Sequence, residues 1–164
     1  MNKAVFLDRD GIINREIGDY VYNVDDFVLN ETIADAIKLL KENGYLVIVV
    51  TNQGGISKGI FSMADFAEVN GYMLSELEKE GAMVDEVYFC PHHPDVTKCL
   101  CRKPEPLMIE KAIARFGIDR ENSYMIGDAP RDVLAAERAG VKGILVEANS
   151  NILDVAKMIV NGTI

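Results

Sequence analysis

Five short apolar runs separated by segments of helical periodicity constrain the fold of this chain more than any other feature. The run Leu46–Val50 is continuous and β-branched, as expected of a strand that is covered on both faces. Further strands are predicted at Ala4–Leu7, Val87–Cys90, Tyr124–Ile126 and Ile144–Val146. Strands that alternate with helices pair in parallel through right-handed crossovers. We therefore predict an α/β fold: a three-layer, Rossmann-like parallel sheet with helices on both faces.

The segments between these strands carry apolar residues three or four positions apart, which is typical of helices packed on one side. The predicted helices are Ile33–Leu40, with its end at Asn43-Gly44, then Phe66–Leu77, Ile109–Phe116, Val133–Ala139 and Ile152–Ile159. No linker or internal repeat interrupts them, so residues 1–164 are predicted to form a single domain. The intervals between strands are short, which leaves no room for a large cap domain over one edge of the sheet.

Charge and hydropathy exclude several classes of protein. The net charge of −9 disfavours a general nucleic-acid binder, because like charges repel. No apolar segment approaches the ~20 residues that a bilayer requires, and the N-terminal apolar run is too short for a signal peptide. We expect a cytoplasmic protein with no membrane partner. The residues alone do not predict the oligomeric state, and they show no heptad pattern or long apolar helix face.

Polar side chains follow the predicted strands at the points where each strand ends. Asp8 and Asp10 follow the first strand, Thr51 follows the second, and Asp128 follows the fourth, while Lys103 lies before the third long helix. Ligands of open α/β sheets bind beyond the carboxyl ends of the strands. We therefore expect these side chains to converge at one edge of the sheet.

This set of groups suits phosphoryl transfer. Clustered carboxylates repel one another unless a cation holds them, and a set of oxygen ligands favours Mg²⁺. One carboxylate can attack phosphorus, and a second, two residues on, can move the proton of the leaving group. A hydroxyl and an ammonium offset the charge of the transferring oxygens. The sequence therefore predicts a magnesium-dependent phosphatase acting on a small phosphorylated metabolite.

These residues resemble the four motifs of the haloacid dehalogenase-like (HAD-like) phosphohydrolase superfamily, over essentially the whole chain. The resemblance implies that Asp8 is the nucleophile, that Asp10 is the general acid/base, and that Thr51 and Lys103 hold the phosphoryl group. It also implies a phosphoaspartate intermediate, a bound Mg²⁺ and a monomer. The metal ligands would be Asp8, the backbone carbonyl of Asp10, and Asp128, with Asp132 beside them.

Within the superfamily, the segments FLDRDG, VVTNQ, CPHHP…CLCRKP and GDAPRD are similar to the heptose 1,7-bisphosphate phosphatases and the histidinol-phosphate phosphatases. This narrower resemblance implies that Arg102 recognises substrate and that Asn52 and Gln53 line the pocket. The loop from Glu16 through Asp19 to Tyr20 would face substrate as well. Three positions depart from the family pattern, namely Ile12 for Thr, Gly54 for Ser and Ala129 for Lys.

Three cysteines and a histidine form a second cluster, in the segment 90–101. Three thiolates and an imidazole match a closed, structural Zn²⁺ site. The alternatives are a reduced cysteine trio with no metal, and His93 in place of His92; the two-residue spacing favours His92. The family resemblance implies a structural zinc held by Cys90, His92, Cys99 and Cys101. Such a site would order a polar loop just before Arg102 and Lys103.

Four functions remain to be separated. The leading hypothesis is removal of the C7 phosphate of D-glycero-D-manno-heptose 1,7-bisphosphate, and histidinol phosphate is the rival substrate. A phospho-receiver domain also combines acids, Mg²⁺, a hydroxyl and a Lys, but Asp10 beside the nucleophile would shorten the life of its phosphoaspartate. A zinc-organised interaction module with a vestigial site is disfavoured because every catalytic group is present.

Overall fold

The computed structural model describes all residues, 1–164. Five strands and five helices alternate along the chain, and a short 3₁₀ turn spans Val24–Asp26. The strands are β1 (Lys3–Leu7), β2 (Tyr45–Asn52), β3 (Glu86–Cys90), β4 (Tyr124–Gly127) and β5 (Lys142–Leu145). The helices are α1 (Ile33–Glu42), α2 (Met63–Lys79), α3 (Leu107–Phe116), α4 (Pro130–Arg138) and α5 (Ile152–Val160). The predicted α/β fold is confirmed.

The strands form one parallel sheet in the order β3-β2-β1-β4-β5. Alternate residues of β1 face opposite layers, since Val5 and Leu7 pack in one core cluster and Ala4 and Phe6 in the other. Helices α1, α2 and α5 cover the first face, whereas α3 and α4 cover the second. Because β1 lies at the centre with β2 and β4 on either side, the segments after these three strands meet at one edge.

Several elements begin earlier than the apolar pattern predicts, among them β5 and α4. Strand β5 begins at Lys142, which pairs with Tyr124 although its side chain is exposed. Helix α4 begins at Pro130, because the Asp132 carboxylate accepts a hydrogen bond from the backbone N–H of Ala129 and closes the first turn. Proline is well tolerated at the first helical position, where its missing N–H has no partner to lose. Both differences concern polar ends that hydrophobic periodicity does not report.

No helix is long and apolar enough to cross a membrane. The interval between β1 and β2 holds only the 3₁₀ turn and α1, and the interval between β2 and β3 holds only α2. The edge of the sheet beyond β1, β2 and β4 is therefore covered by loops alone.

Candidate active site and metal clusters

A polar cavity of about 400 Å³ lies at the carboxyl ends of β1, β2 and β4. Its walls come from four parts of the chain: the segment after β1, the segment after β2, the loop before α3 and the start of α4. The lining residues are Asp8, Asp10, Glu16, Gly18, Asp19, Tyr20, Asn52, Gly54, Arg102, Lys103, Asp128, Ala129 and Arg131. The structure thus brings together most of the residues that the strand-end argument selected.

Lys103 lies at the floor of this cavity and is 1% exposed. Its Nζ donates to Asp8 Oδ1 at 2.9 Å and to the carbonyl of Val50 at 2.8 Å, and it lies 2.8 Å from Asp132 Oδ1. Burial alone lowers the pKa of Lys103, but the charges of Asp8 and Asp132 outweigh it, so the pKa lies above its ordinary value. The ammonium is therefore charged, and it has two hydrogen-bond acceptors and an ion pair with Asp132.

Asp8 is almost completely enclosed. Burial raises the pKa of Asp8 to about 7, and the Lys103 charge opposes that rise. One oxygen of the carboxylate, Oδ1, accepts from Lys103 and from the backbone N–H of Arg9, each at 2.9 Å. The other oxygen, Oδ2, takes part in no hydrogen bond within the chain, and the residue lines the cavity. One oxygen of Asp8 is thus fixed while the other is available to a ligand.

Asp10 is oriented by three donors that the sequence argument did not assign. The buried Arg9 guanidinium lies 3.0 Å from Asp10 Oδ1, and Asn14 Nδ2 donates to the same oxygen at 3.0 Å. Gln53 Nε2 donates to Oδ2 at 3.3 Å. The side chain remains 25% exposed, so the carboxylate reaches the cavity while it is held from behind.

Gln53 does not line the cavity, which differs from the expectation that it does. It is 2% exposed, and its Nε2 also donates to the Thr51 hydroxyl at 3.0 Å. Thr51 is likewise buried, at 1% exposure. Asn52 does line the cavity, and its side-chain amide bonds both the N–H and the C=O of Lys103, at 3.0 and 3.1 Å. Asn52 and Gln53 of the VVTNQ segment therefore act largely by holding other residues of the site, namely Lys103, Asp10 and Thr51.

The acids at the floor fit a hard divalent cation. Asp8, Asp128 and Asp132 each offer an oxygen, and these oxygens lie within 4.8 Å of one another. Lys103 pairs with two of them, which leaves Asp128 without a cationic partner. Burial, followed by the charge of Asp132, raises the pKa of Asp128. Unlike Asp132, which is fully buried, Asp8 and Asp128 both face the cavity. A clustered set of carboxylate oxygens with excess negative charge suits Mg²⁺.

The backbone between these acids fits closely. A Cβ built on Gly11 would lie 2.2 Å from Asp128 Oδ2, and the residue has φ of +90°. Only glycine provides both the conformation and the space. Gly11 thus lets the two acidic segments approach.

The mouth of the cavity carries the predicted substrate loop, Glu16–Tyr20, and two guanidinium groups. Arg102 donates through Nη1 to the carbonyl of His92 at 3.2 Å. Arg131 was not selected from the sequence; it is exposed, makes no ion pair within the chain, and follows Ala129 by two positions. A signal for Arg131 was present in the sequence, because Ala129 stands where the family pattern has Lys. A cation two residues later, on the first turn of α4, lines the same cavity.

The cysteine cluster lies next to this cavity. Cys90 Sγ is 3.5 Å from His92 Nδ1 and 3.7 Å from Cys99 Sγ, and His92 Nδ1 is 3.3 Å from Cys101 Sγ. A tetrahedron with zinc–sulfur bonds of about 2.3 Å has edges of about 3.8 Å, which the Cys90–Cys99 distance matches. Cys90 Sγ and Cys101 Sγ are 2.9 Å apart and would separate by about 1 Å to share one ion. The cysteines form no disulfide. His93 turns away from the sulfurs and accepts through Nδ1 from the N–H of Asp95 at 3.2 Å.

Comparisons with known proteins agree with this site. A family profile described as HAD-hydrolase-like matches residues 100–157. D-glycero-beta-D-manno-heptose-1,7-bisphosphate 7-phosphatase of Haemophilus ducreyi is 46% identical over 146 residues, which is 85% of this chain and 80% of that protein. D-glycero-alpha-D-manno-heptose-1,7-bisphosphate 7-phosphatase of Photorhabdus laumondii is 37% identical over 145 residues, covering 85% of this chain and 79% of the relative.

A solved structure extends the likeness to three dimensions. The D,D-heptose 1,7-bisphosphate phosphatase of B. bronchiseptica, crystallised with magnesium and phosphate, superimposes with a TM-score of 0.91. It shares 29% of its sequence with this chain and covers 98% of this chain and 99% of its own. The absence of a large inserted domain is thus shared by both chains.

Proposed function

Because the chain belongs to the family of the D-glycero-D-manno-heptose-1,7-bisphosphate 7-phosphatases, we propose that it hydrolyses the C7 phosphate ester of D-glycero-D-manno-heptose 1,7-bisphosphate. The observation that carries the proposal is the meeting of Asp8, Asp10, Lys103 and Asp128 on the wall of one cavity. Two acids two residues apart, one with a free oxygen and one held for proton transfer, suit a two-step transfer of phosphate.

Asp8 and Asp10 are proposed to divide the chemistry between them. Asp8 attacks phosphorus, and the bond between phosphorus and the sugar oxygen breaks as Asp10 donates a proton to that oxygen. Asp10 then takes a proton from water, whose oxygen attacks the phosphoaspartate, so inorganic phosphate leaves and Asp8 is restored. The donors from Arg9, Asn14 and Gln53 hold the Asp10 carboxylate in one place through both steps.

The charge on the transferring phosphoryl group needs compensation from the site. Lys103, fixed by two hydrogen bonds and by its ion pair with Asp132, lies beside Asp8 and supplies one positive charge. The Thr51 hydroxyl, oriented by Gln53, is the proposed neutral donor. Mg²⁺, held by Asp8, Asp128 and the backbone carbonyl of Asp10, would supply the remaining positive charge. Asp132 is proposed to position Lys103.

A bisphosphate presents a second anion, and two groups at the mouth suit it. Arg102 and Arg131 both line the cavity, and guanidinium groups bind phosphate through paired N–H donors. The acids of the same region each accept one backbone N–H and keep their negative charge: Glu16 Oε1 accepts from Gly18 at 2.6 Å, and Asp19 Oδ1 accepts from Tyr20 at 2.7 Å. The preference for a second phosphate over the ammonium group of histidinol phosphate therefore rests on the paired donors of Arg102 and Arg131.

Phosphate release with and without Mg²⁺ tests the proposal, with heptose 1,7-bisphosphate and histidinol phosphate as parallel substrates. We expect faster turnover of the bisphosphate, and a loss of at least about a thousandfold in Asp8→Asn. Undiminished turnover in that variant would exclude the covalent mechanism. Faster turnover of histidinol phosphate would overturn the substrate, and a long-lived phosphoaspartate without turnover would favour the receiver.

The cysteine cluster is proposed to hold a structural Zn²⁺ through Cys90, His92, Cys99 and Cys101. The four ligand atoms lie within 4.8 Å of one another. Cys90 is the last residue of β3, and the other three ligands belong to the following loop, which has no helix or strand. Ligation would hold this loop, and Arg102 and Lys103 follow its last ligand directly. Zinc would thus act on catalysis only through the position of these two cations.

A further inference from the structure

The substrate loop is held by a residue that lies far away in the sequence and outside every catalytic motif. Asn149, in the segment between β5 and α5, accepts through Oδ1 from the backbone N–H of Glu16 at 2.7 Å. Its Nδ2 donates to the backbone carbonyl of the same residue at 3.1 Å. The side-chain amide therefore satisfies both backbone groups of Glu16, as a paired strand would.

The backbone of Asn149 is equally specific. It is the only non-glycine residue with positive φ, at 64°, a conformation that Asn tolerates better than most side chains. In this conformation its N–H donates to the carbonyl of Gly11 at 2.8 Å. Asn149 thus joins the residue that follows Asp10 to the residue that begins the substrate loop.

The loop has few other ties. Residues 17–19 are exposed, and the hydrogen bonds of Gly18 and Tyr20 within the loop are made to its own acids. At the far end, the ring of Tyr20 packs against that of Phe61, with centroids 5.8 Å apart. The loop is therefore anchored at two points, and Asn149 is the anchor at the end nearest the catalytic acids.

We infer that Asn149 is a positioning residue that sets the affinity for substrate by holding the loop Glu16–Tyr20 over the cavity. Asn52 makes the same pair of hydrogen bonds on the opposite wall, where its side-chain amide bonds the backbone N–H and C=O of Lys103. The inference rests on the proposed function, because it assigns the loop to binding of the sugar bisphosphate. It goes beyond that function by naming what orients the loop.

The decisive variant is Asn149→Gly, which removes the amide and keeps the positive φ without strain. We expect the KM for heptose 1,7-bisphosphate to rise about tenfold, while kcat changes by less than about twofold. Hydrolysis of p-nitrophenyl phosphate, which has no sugar or second phosphate to reach the loop, should keep its kcat/KM. Asn149→Asp keeps the acceptor for the Glu16 N–H but loses the donor to its carbonyl. The KM of this variant should lie between the values of the wild-type protein and of Asn149→Gly.

A measurement independent of activity accompanies the kinetics. Exchange of the Glu16 backbone amide with deuterium, followed by NMR, should accelerate in Asn149→Gly. The matched control is Asn151→Ala, which removes the cap that Asn151 Oδ1 provides to the N–H of Asp154 in α5. It should lower the melting temperature and leave both the KM and the Glu16 amide unchanged.

Unchanged exchange at Glu16, or an equal loss of kcat/KM on both substrates, would overturn the inference. A wild-type protein that hydrolyses p-nitrophenyl phosphate and not the bisphosphate would refute the proposed substrate instead. The amide exchange of Glu16 then decides alone whether Asn149 holds the loop.

Discussion

The two acids after β1 differ in what surrounds them. Asp8 shares its charge with Lys103 in a buried pair, whereas Asp10 is held by donors and stays partly exposed. A nucleophile benefits from a fixed position next to a positive charge, and a group that exchanges protons benefits from contact with substrate and water. The environment of each side chain thus matches the role proposed for it.

Replacing Gln53 tests how far Asp10 depends on this support. Gln53→Met introduces an apolar side chain of similar size and removes the donor to Asp10 Oδ2 and to the Thr51 hydroxyl. We expect kcat to fall by about tenfold to a hundredfold with little change in KM, as for a group that acts in the transition state. Steady-state kinetics on the bisphosphate measures both.

The control is Ser123→Ala, which deletes a buried hydroxyl at the opposite end of β4, where Ser123 Oγ accepts from the N–H of Ala4 at 2.9 Å. It should cost about 1 kcal/mol of stability and leave kcat intact. An equal fall of kcat in both variants would reduce the effect of Gln53 to general destabilisation.

Arg131 tests the second anion site. Arg131→Ala should raise the KM for the bisphosphate about tenfold, because a guanidinium–phosphate contact at a partly exposed site is lost, and should leave hydrolysis of a monophosphate unchanged. Arg138→Ala is the matched control on α4, since Arg138 pairs with Glu105 outside the cavity. An equal effect on mono- and bisphosphates would refute the role of Arg131.

The positions of Asp8, Asp10, Thr51 and Asp128 were predictable from the sequence, because each lies at the end of a strand that its own apolar run marks. Lys103 follows no strand and was predicted from its place in the loop before α3.

The sequence did not predict the observed positions of Gln53, Arg131 and Asn149, and the reason is physical. Gln53 follows the same strand as Asn52 but turns inward, and that direction depends on the loop after β2. Asn149 lies in a segment whose partner, Glu16, is distant along the chain. Contacts between loops leave no periodic trace.

The segment 91–101 lies next to the site and has no helix or strand of its own. We expect that removal of zinc lowers the melting temperature and lowers activity even with excess Mg²⁺, because Arg102 and Lys103 lose a fixed neighbour. Adding Zn²⁺ back should restore both.

Two adjacent histidines provide matched variants for the zinc site. His92→Ala should lose the metal, since His92 Nδ1 lies among the sulfurs, whereas His93→Ala should retain one zinc per chain. Metal analysis of the purified proteins measures this difference. Equal zinc content in the two variants would contradict the assigned ligand.

At the scale of the whole molecule, the order β3-β2-β1-β4-β5 decides that the acids meet. The alternation of strands and helices predicted a parallel sheet, and it did not predict this order, because apolar runs carry no information about which strands are neighbours. The order places β1 in the centre, so Asp8 lies between Thr51 from β2 and Asp128 after β4. A single sheet edge thus collects three carboxylates and one ammonium in a mostly buried space.

That concentration of charge makes the stability of the protein depend on pH and Mg²⁺ together. Burial raises the pKa of Asp8 from 3.8 to about 7. In the metal-free protein, the contribution of Asp8 to the free energy of unfolding is therefore full below about pH 4 and is lost as the pH rises to 7. Asp128 is shifted in the same direction. Mg²⁺ competes with the protons for these oxygens. A ligand at about 100 times its Kd adds about 2.7 kcal/mol to the free energy of unfolding, which raises the melting temperature by about 5–10 °C. Mg²⁺ should therefore raise the melting temperature more at pH 8 than at pH 5.5. The variant Asp128→Asn should reduce the rise in melting temperature at pH 8. Equal rises at both pH values would contradict metal binding by the acids at this edge of the sheet.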